Sequence, residues 1–240
     1  QEAENALQKL LRTNGNCTGK CLAGIYPDEM TIQEGIKQMA QWGMLDMSED
    51  NTGVHLVPPT PRDKLIRINL DLILREQTIE GVSLYIPLRI DGEEFVDASV
   101  WQANREAWAA FRLDNLLKAY GTPSFVGFSI DSYDPEGEFL VYTLDIHYEE
   151  MNIKMGFGGL AQINGQDVFI CPPSDSHNFG ITINPQRPLS EVQQFSRITW
   201  QALTGGDLQT FYDTFTDESN SDGCVATTIS KIIELDPYFR

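Results

Sequence analysis

The stretch Phe111–Ser124, FRLDNLLKAYGTPS, decides the reading of the fold. Leu113, Leu116, Leu117 and Tyr120 recur at i, i+3, i+4 and i+7, which places them on one face of a helix. Gly121 and Pro123 then terminate it. A fainter echo runs from Met30 to Met44, MTIQEGIKQMAQWGM. There Thr31 and Glu34 have the spacing of a capping box, Ile32, Ile36 and Met39 share a face, and Gly43 is the expected stop. A strand-rich segment follows each helix. The expected fold class is therefore α+β, two tandem helix-pair plus antiparallel-sheet units with a C-terminal helical extension. The expected boundaries are an N-terminal helix in 1–16, a first unit in 17–95, a second in 96–188, and a helical segment with a last strand in 189–240.

Working outward, residues 2–12 read as a helix, with Leu7, Leu10 and Leu11 as its apolar stripe. Residues 46–63, rich in acids and prolines, read as loop. Residues 65–74 and 82–90 alternate with period two and read as a strand pair. Pro87 cannot donate to a ladder, so its strand is expected at an edge or with a bulge. Residues 98–111 read as a helix anchored by Trp101, Trp108 and Phe111. Strands are expected at 124–130, 139–148, 152–158, 168–171 and 179–183. A helix capped by Ser190 should end at Gly205, Asp207 should cap a short helix, and residues 225–233 read as a last strand.

Each half thus resembles the BamE-like or β-lactamase-inhibitor-protein-like fold. Those domains carry a GMT-x(n)-GxP feature at the ends of their second helix, and DEMTIQEGI (28–36) and YGTPS (120–124) match it in part. The first copy lacks the Gly before Met30 and a Pro after Gly43; the second has Arg112 where the Thr cap would stand. CTGKCLAGIYPDEMTIQEG (17–35) is also similar to a segment of uncharacterised exported proteins of Chloroflexi-type bacteria. The likeness covers residues 17–44 and 111–160. It implies two copies of a helix-and-sheet unit and no activity.

Composition narrows the function classes. The 240-residue chain has 17 basic and 35 acidic side chains, a net charge of −18. Such a surface repels phosphate backbones and anionic lipid, which argues against nucleic-acid binding. No apolar run reaches the length of a membrane-spanning helix, so no membrane insertion is expected. The chain starts at Gln1 with a polar stretch, as a mature end left by signal cleavage or a trimmed piece would. Four cysteines, Cys17, Cys21, Cys171 and Cys224, fit two disulfides and an extracytoplasmic protein. Zinc is the weaker reading, because neither pair has knuckle spacing, and free thiols are the other alternative. The favoured connectivity is Cys17–Cys21 with Cys171–Cys224. Asn16-Cys17-Thr18 matches a glycosylation sequon, but such triplets arise often by chance.

The candidates for chemistry are sparse. His147 falls on the strand face opposite Ile146 and Tyr148, and reads as a solvent-facing or paired histidine rather than a catalytic one. His177 shares a loop with Ser174, Asp175 and Ser176, yet a triad is assembled in space, not in a run. Cys171 lies near His177, but disulfide pairing is the stronger reading. Between Ala119 and Gln186 there are nine acids and one base, Lys154. Asp131, Asp134, Glu136 and Glu138 cluster in a turn that could offer oxygens to calcium, without the EF-hand spacing. GFGG at 156–159 has no Lys-Ser or Lys-Thr after it, so it reads as a strand end or bulge rather than a phosphate loop. No catalytic, metal or cofactor site is expected. The expected function is a non-catalytic exported binding or structural module of the cell envelope or surface. Its expected partner is another protein, a second copy of the chain included. The alternatives are an extracellular carboxylate-dependent hydrolase and a calcium-dependent adhesion protein.

Overall fold

The computed structural model describes residues 6–17, 19–42, 44–47, 54–57, 69–87, 109–134, 139–172, 176–184, 197–217 and 223–236. Residues 98–108 of the helix expected at 98–111, with Trp101 and Trp108, the stop at Gly43, the Ser190 cap, and Glu136 and Glu138 lie outside them.

Among the described residues the strands are β1 (Met44–Met47), β2 (Val54–Val57), β3 (Asn69–Arg75), β4 (Thr78–Pro87), β5 (Phe125–Asp134), β6 (Phe139–Tyr148), β7 (Ile153–Asn164), β8 (Asp167–Ile170), β9 (Ser176–Ile183), β10 (Ile198–Thr199) and β11 (Val225–Thr228). Nine of them form one sheet, with order β10-β5-β6-β7-β9-β4-β3 and a branch in which β8 pairs with both β7 and β11. This corrects the expected fold class. The chain is built mostly on one large antiparallel sheet, not on two tandem helix-pair plus sheet units. The physical reason is edge pairing: a strand edge left open is costly, and β9 fills one place beside β7 and another beside β4. Periodicity predicts strands but not which strand they pair with. β1 and β2, most of which falls in the stretch 46–63 expected as loop, form a separate two-stranded pair.

The chain divides into two compact units that are discontinuous in sequence. The first comprises Gln1–Arg112, Met151–Ile153 and Gly180–Gln186. It contains α1 (Ala6–Thr13) and α2 (Ile32–Met39). The capping box of α2 is formed: the Glu34 N–H donates to Thr31 Oγ1 at 3.3 Å and the Thr31 N–H to Glu34 Oε2 at 2.8 Å. The Thr31 N–H, and the Thr31 hydroxyl that donates to the same oxygen at 2.8 Å, hold the Glu34 carboxyl below its ordinary range. Gly35 faces β4 so closely that a Cβ would lie 2.2 Å from Ile79 Cδ1. The core includes Met39, Trp42, Leu70, Leu72, Ile79, Val82 and Leu84, all buried. β3 and β4 join through the two-residue turn Glu76-Gln77, with Glu76 in the left-handed region at φ 54°. The register shifts where Ile73 faces Gly81 and Leu74 faces Ile79, so Glu80 bulges from β4. Pro87 is the last residue of that strand, which lies between β9 and β3 rather than at an edge. At Gly81 a Cβ would strike two backbone oxygens, of Asn184 at 2.5 Å and Ile183 at 2.6 Å, so only glycine fits.

The second unit comprises Leu113–Glu150, Lys154–Phe179 and Arg187–Arg240. Its organising helix is α3 (Leu113–Tyr120), which buries Leu113, Leu116 and Leu117 as the spacing predicts. Tyr120 packs on Tyr148 with ring centroids 5.6 Å apart, and the Tyr148 hydroxyl donates to the Gly121 carbonyl at 3.0 Å. The end of the helix is thus tied to β6. Burial pushes the Tyr148 hydroxyl well above the usual tyrosine range. β5 and β6 are antiparallel, with a bulge at Asp131 between the pairs Ile130–Tyr142 and Ser132–Val141.

The expected long helix before Gly205 is shorter. Ile198 and Thr199 are strand, paired with Phe128 and Gly127, and Thr199 caps α4 (Trp200–Thr204). Asp207 caps α5 (Leu208–Thr216), and the rings of Trp200, Phe211 and Phe215 cluster. The expected last strand divides in the same way: β11 stops at Thr228, which caps α6 (Ile229–Leu235). In both places a β-branched run breaks where a threonine oxygen can accept a helix N–H. After α6, both carboxylate oxygens of buried Asp236 lie 3.4 Å from Arg197 Nη1.

Candidate functional site

Both expected cystines are formed, Cys17–Cys21 and Cys171–Cys224. The second continues a ladder: Val225 pairs with Ile170, and the next residues along each chain are Cys224 and Cys171. Cys171 is therefore not available as a nucleophile for His177.

The strongest concentration of chemistry lies in the second unit, on one face of β5, β6 and β7. Alternation along β6 puts Thr143, Asp145 and His147 on that face, and the register puts Ser129, Gly127 and Phe125 across from them. His147 is fully buried, its ring 5.1 Å from that of Phe125. Neither ring nitrogen has a hydrogen-bond partner among the described residues. This departs from the expected solvent-facing or paired histidine: alternation gives the face correctly but not what burial does there. Burial pushes the His147 pKa down to about 4, opposed by Asp145, assisted by Lys154 and opposed by Glu149. The imidazole is accordingly neutral at pH 7.

Two residues back, Asp145 is buried, and its Oδ1 lies 3.3 Å from Lys154 Nζ on β7. Gly127 stands across from it on β5, and the Cβ position of Gly156 on β7 is 3.8 Å from the same oxygen. The lone base of the acid-rich stretch is thus spent on a buried acid. Lys154 stands out in the sequence for its rarity, but nothing there names its partner. Gly156–Gly159 lie inside β7 rather than at a strand end. There the Gly158 N–H donates to Asn178 Oδ1 at 2.8 Å, and the Asn178 side chain occupies the space a Cβ would need.

The first unit has a polar cluster that sequence reasoning missed. Asn184 is buried; its Nδ2 donates to Asp28 Oδ2 at 2.9 Å and to the Glu80 carbonyl at 2.8 Å. Its Oδ1 accepts from Asn152 Nδ2 at 3.2 Å, and its N–H donates to the Asn152 carbonyl at 2.8 Å. Asp28, Asn152 and Asn184 all have positive φ, near 67°, 51° and 51°. Asn and Asp tolerate that region best after glycine. The bulged carbonyl of Glu80 is therefore satisfied by a side chain instead of a ladder partner. The available signal was three Asn or Asp residues in turn positions, too common to single out.

The remaining candidates do not converge. The side chains of His55 and His177 lie outside the described residues, as do Ser174 and Asp175. Asp131 accepts a hydrogen bond from Thr143 Oγ1 at 2.9 Å. Glu149 and Glu150 are exposed in the turn after β6. Among the described residues no three His, Cys, Asp or Glu side chains are grouped to hold a metal ion, and no helix is long and apolar enough to cross a membrane. The resolved carboxyl shifts, at Glu34 and Asp207, are both downward and both come from hydrogen bonds to backbone N–H groups at helix starts. Comparison with protein-family models, with curated proteins and with solved structures finds no match.

Proposed function

We propose that the protein is a non-catalytic, extracytoplasmic binding or structural module of a cell envelope or surface, working through contact with another protein. The observation that carries this reading is the pair of cystines, which use all four cysteines of the chain. Structural disulfides persist in oxidising compartments. Two further features support it. The strongest polar cluster of the second unit is closed on itself, with its acid matched by its base and its histidine held neutral. Exposed aromatic side chains stand on strands, Tyr85 at 41% and Phe169 at 36% exposure, and interfaces favour such residues. The motif likeness to BamE-like domains at 28–36 and 120–124 belongs to the same proposal.

The test is cross-linking in intact source cells with a reagent that does not enter the cytoplasm. The expected result is a discrete cross-linked species containing this chain and burying more than ~1,000 Å² at its interface. Protection of the chain from the reagent until the cells are broken would refute the compartment. Labelling of a chain that stays a bare monomer would refute the partner.

A further inference from the structure

The Cys17–Cys21 cystine has surroundings that suit exchange chemistry. Cys21 is wholly buried with Leu22, Ala23 and Ile25, whereas Cys17 is half-buried. The sulfur of the less buried cysteine also receives a donor: the Gly24 N–H points to Cys17 Sγ at 3.0 Å. A donor there stabilises a thiolate when the bond opens.

The loop is held by bonds that do not involve sulfur. Ala23 N–H donates to Asn14 Oδ1 at 2.8 Å, and the Ala23 carbonyl accepts from Trp42 Nε1 at 3.0 Å and Gln38 Nε2 at 3.4 Å. Leu22 and Ile25 exchange backbone bonds of 3.0 and 2.8 Å. Cys17 N–H donates to the Asn14 carbonyl at 3.2 Å. Opening the disulfide leaves this framework in place, so the two sulfurs stay neighbours and the bond can re-form.

We propose that Cys17–Cys21 is a thiol–disulfide exchange site, entered at Cys17 by a small-molecule thiol or dithiol. The attacking thiolate bonds to Cys17 Sγ, the Cys17–Cys21 bond breaks, and its electron pair goes to Cys21 Sγ, which takes up a proton. A second thiol then attacks the mixed disulfide at the small-molecule sulfur and releases Cys17 as a thiolate. The balance is one cystine and two small thiols consumed, two cysteines and one small disulfide formed. Attack at the less buried cysteine, with the fully buried one leaving, is the order that their burial favours.

The test is a titration of the whole protein in glutathione buffers of rising thiol-to-disulfide ratio at pH 7, acid-quenched, alkylated and peptide-mapped. Cys17–Cys21 is expected to open at a ratio about tenfold lower than Cys171–Cys224, with unchanged circular dichroism at that step. In Cys21→Ala the alkylation of Cys17 should have its pH midpoint below that of a cysteine in a short peptide. The proposal is overturned if Cys171–Cys224 opens first, if both open only as the chain unfolds, or if the Cys17 midpoint is that of the peptide.

Discussion

The two units fasten their buried polar groups in opposite ways. In the first, the Asn184 amide meets Asp28, Asn152 and the Glu80 carbonyl, and every hydrogen bond of the hub is between groups that fit one another. In the second, Asp145 has Lys154, but His147 is buried beside them with both nitrogens unpartnered among the described residues. A matched hub costs little to bury, while an unmatched imidazole is tolerable only when neutral. The cystines differ in the same direction. The first unit has a local bridge with a sequence separation of 4, the second a bridge with a separation of 53. In the chain-entropy account these are worth about 2 and about 4 kcal/mol. The first unit relies on local fit, the second on a long covalent tie and on one uncharged ring.

The largest effect that would break this comparison is at the long bridge. Replacing Cys171 and Cys224 together by Ala should lower stability by about 4 kcal/mol, read as a urea midpoint, against about 2 kcal/mol for the Cys17 and Cys21 double replacement. Equal losses would remove the contrast.

Next is acid. The folded His147 pKa, about 4, lies below its unfolded value of 6.5, so the unfolded chain binds the proton more readily. The associated stability is complete above pH 6.5 and is lost as pH falls toward 4, by about 3 kcal/mol at most. Urea midpoints at pH 7 and pH 4.5 should diverge for the wild type and much less for His147→Phe, whose ring would pack beside Phe125. Identical slopes in both proteins would show that His147 is not the titrating group.

Asn184→Ala should cost about 2 kcal/mol, because it strands the bulged Glu80 carbonyl and removes an Asn from a left-handed position. Its loss should be the same at pH 7 and pH 5, since an amide does not titrate. A loss below 0.5 kcal/mol, on the scale of an ordinary surface change, would show that the hub is not a fastening.

The smallest effect is at the α2 cap. Thr31→Ala should cost about 1 kcal/mol and raise the Glu34 carboxyl toward its ordinary range, observable by carboxyl-carbon NMR.

What the chain states openly is local. The α2 capping box, the Asp207 cap and β6 with its ends at Phe139 and Tyr148 follow from spacing and alternation. Four cysteines allow three connectivities, and the favoured one is the one formed. Pairing across the sheet is not local. Nothing in FGITI at 179–183 indicates that its strand lies beside both β7 and β4, and that placement turns two expected sheets into one. The break at Thr199 was hidden inside an expected helix and that at Thr228 inside an expected strand, because a threonine suits a helix cap as well as a strand end. The site was legible only in part. The face of His147 was readable from alternation, but its burial was not, since that depends on what lies over the strand and not on the strand itself.

The central claim is that this is an oxidised, extracytoplasmic module that works in contact with another protein. Native mass spectrometry of the protein isolated from its source without reductant tests it most directly. The account predicts a chain about 4 Da lighter than the fully reduced polypeptide, the mass of four hydrogens lost to two cystines, held in a complex heavier than the 27.0 kDa monomer. A reduced chain, or an oxidised chain found only as a bare monomer, would contradict it.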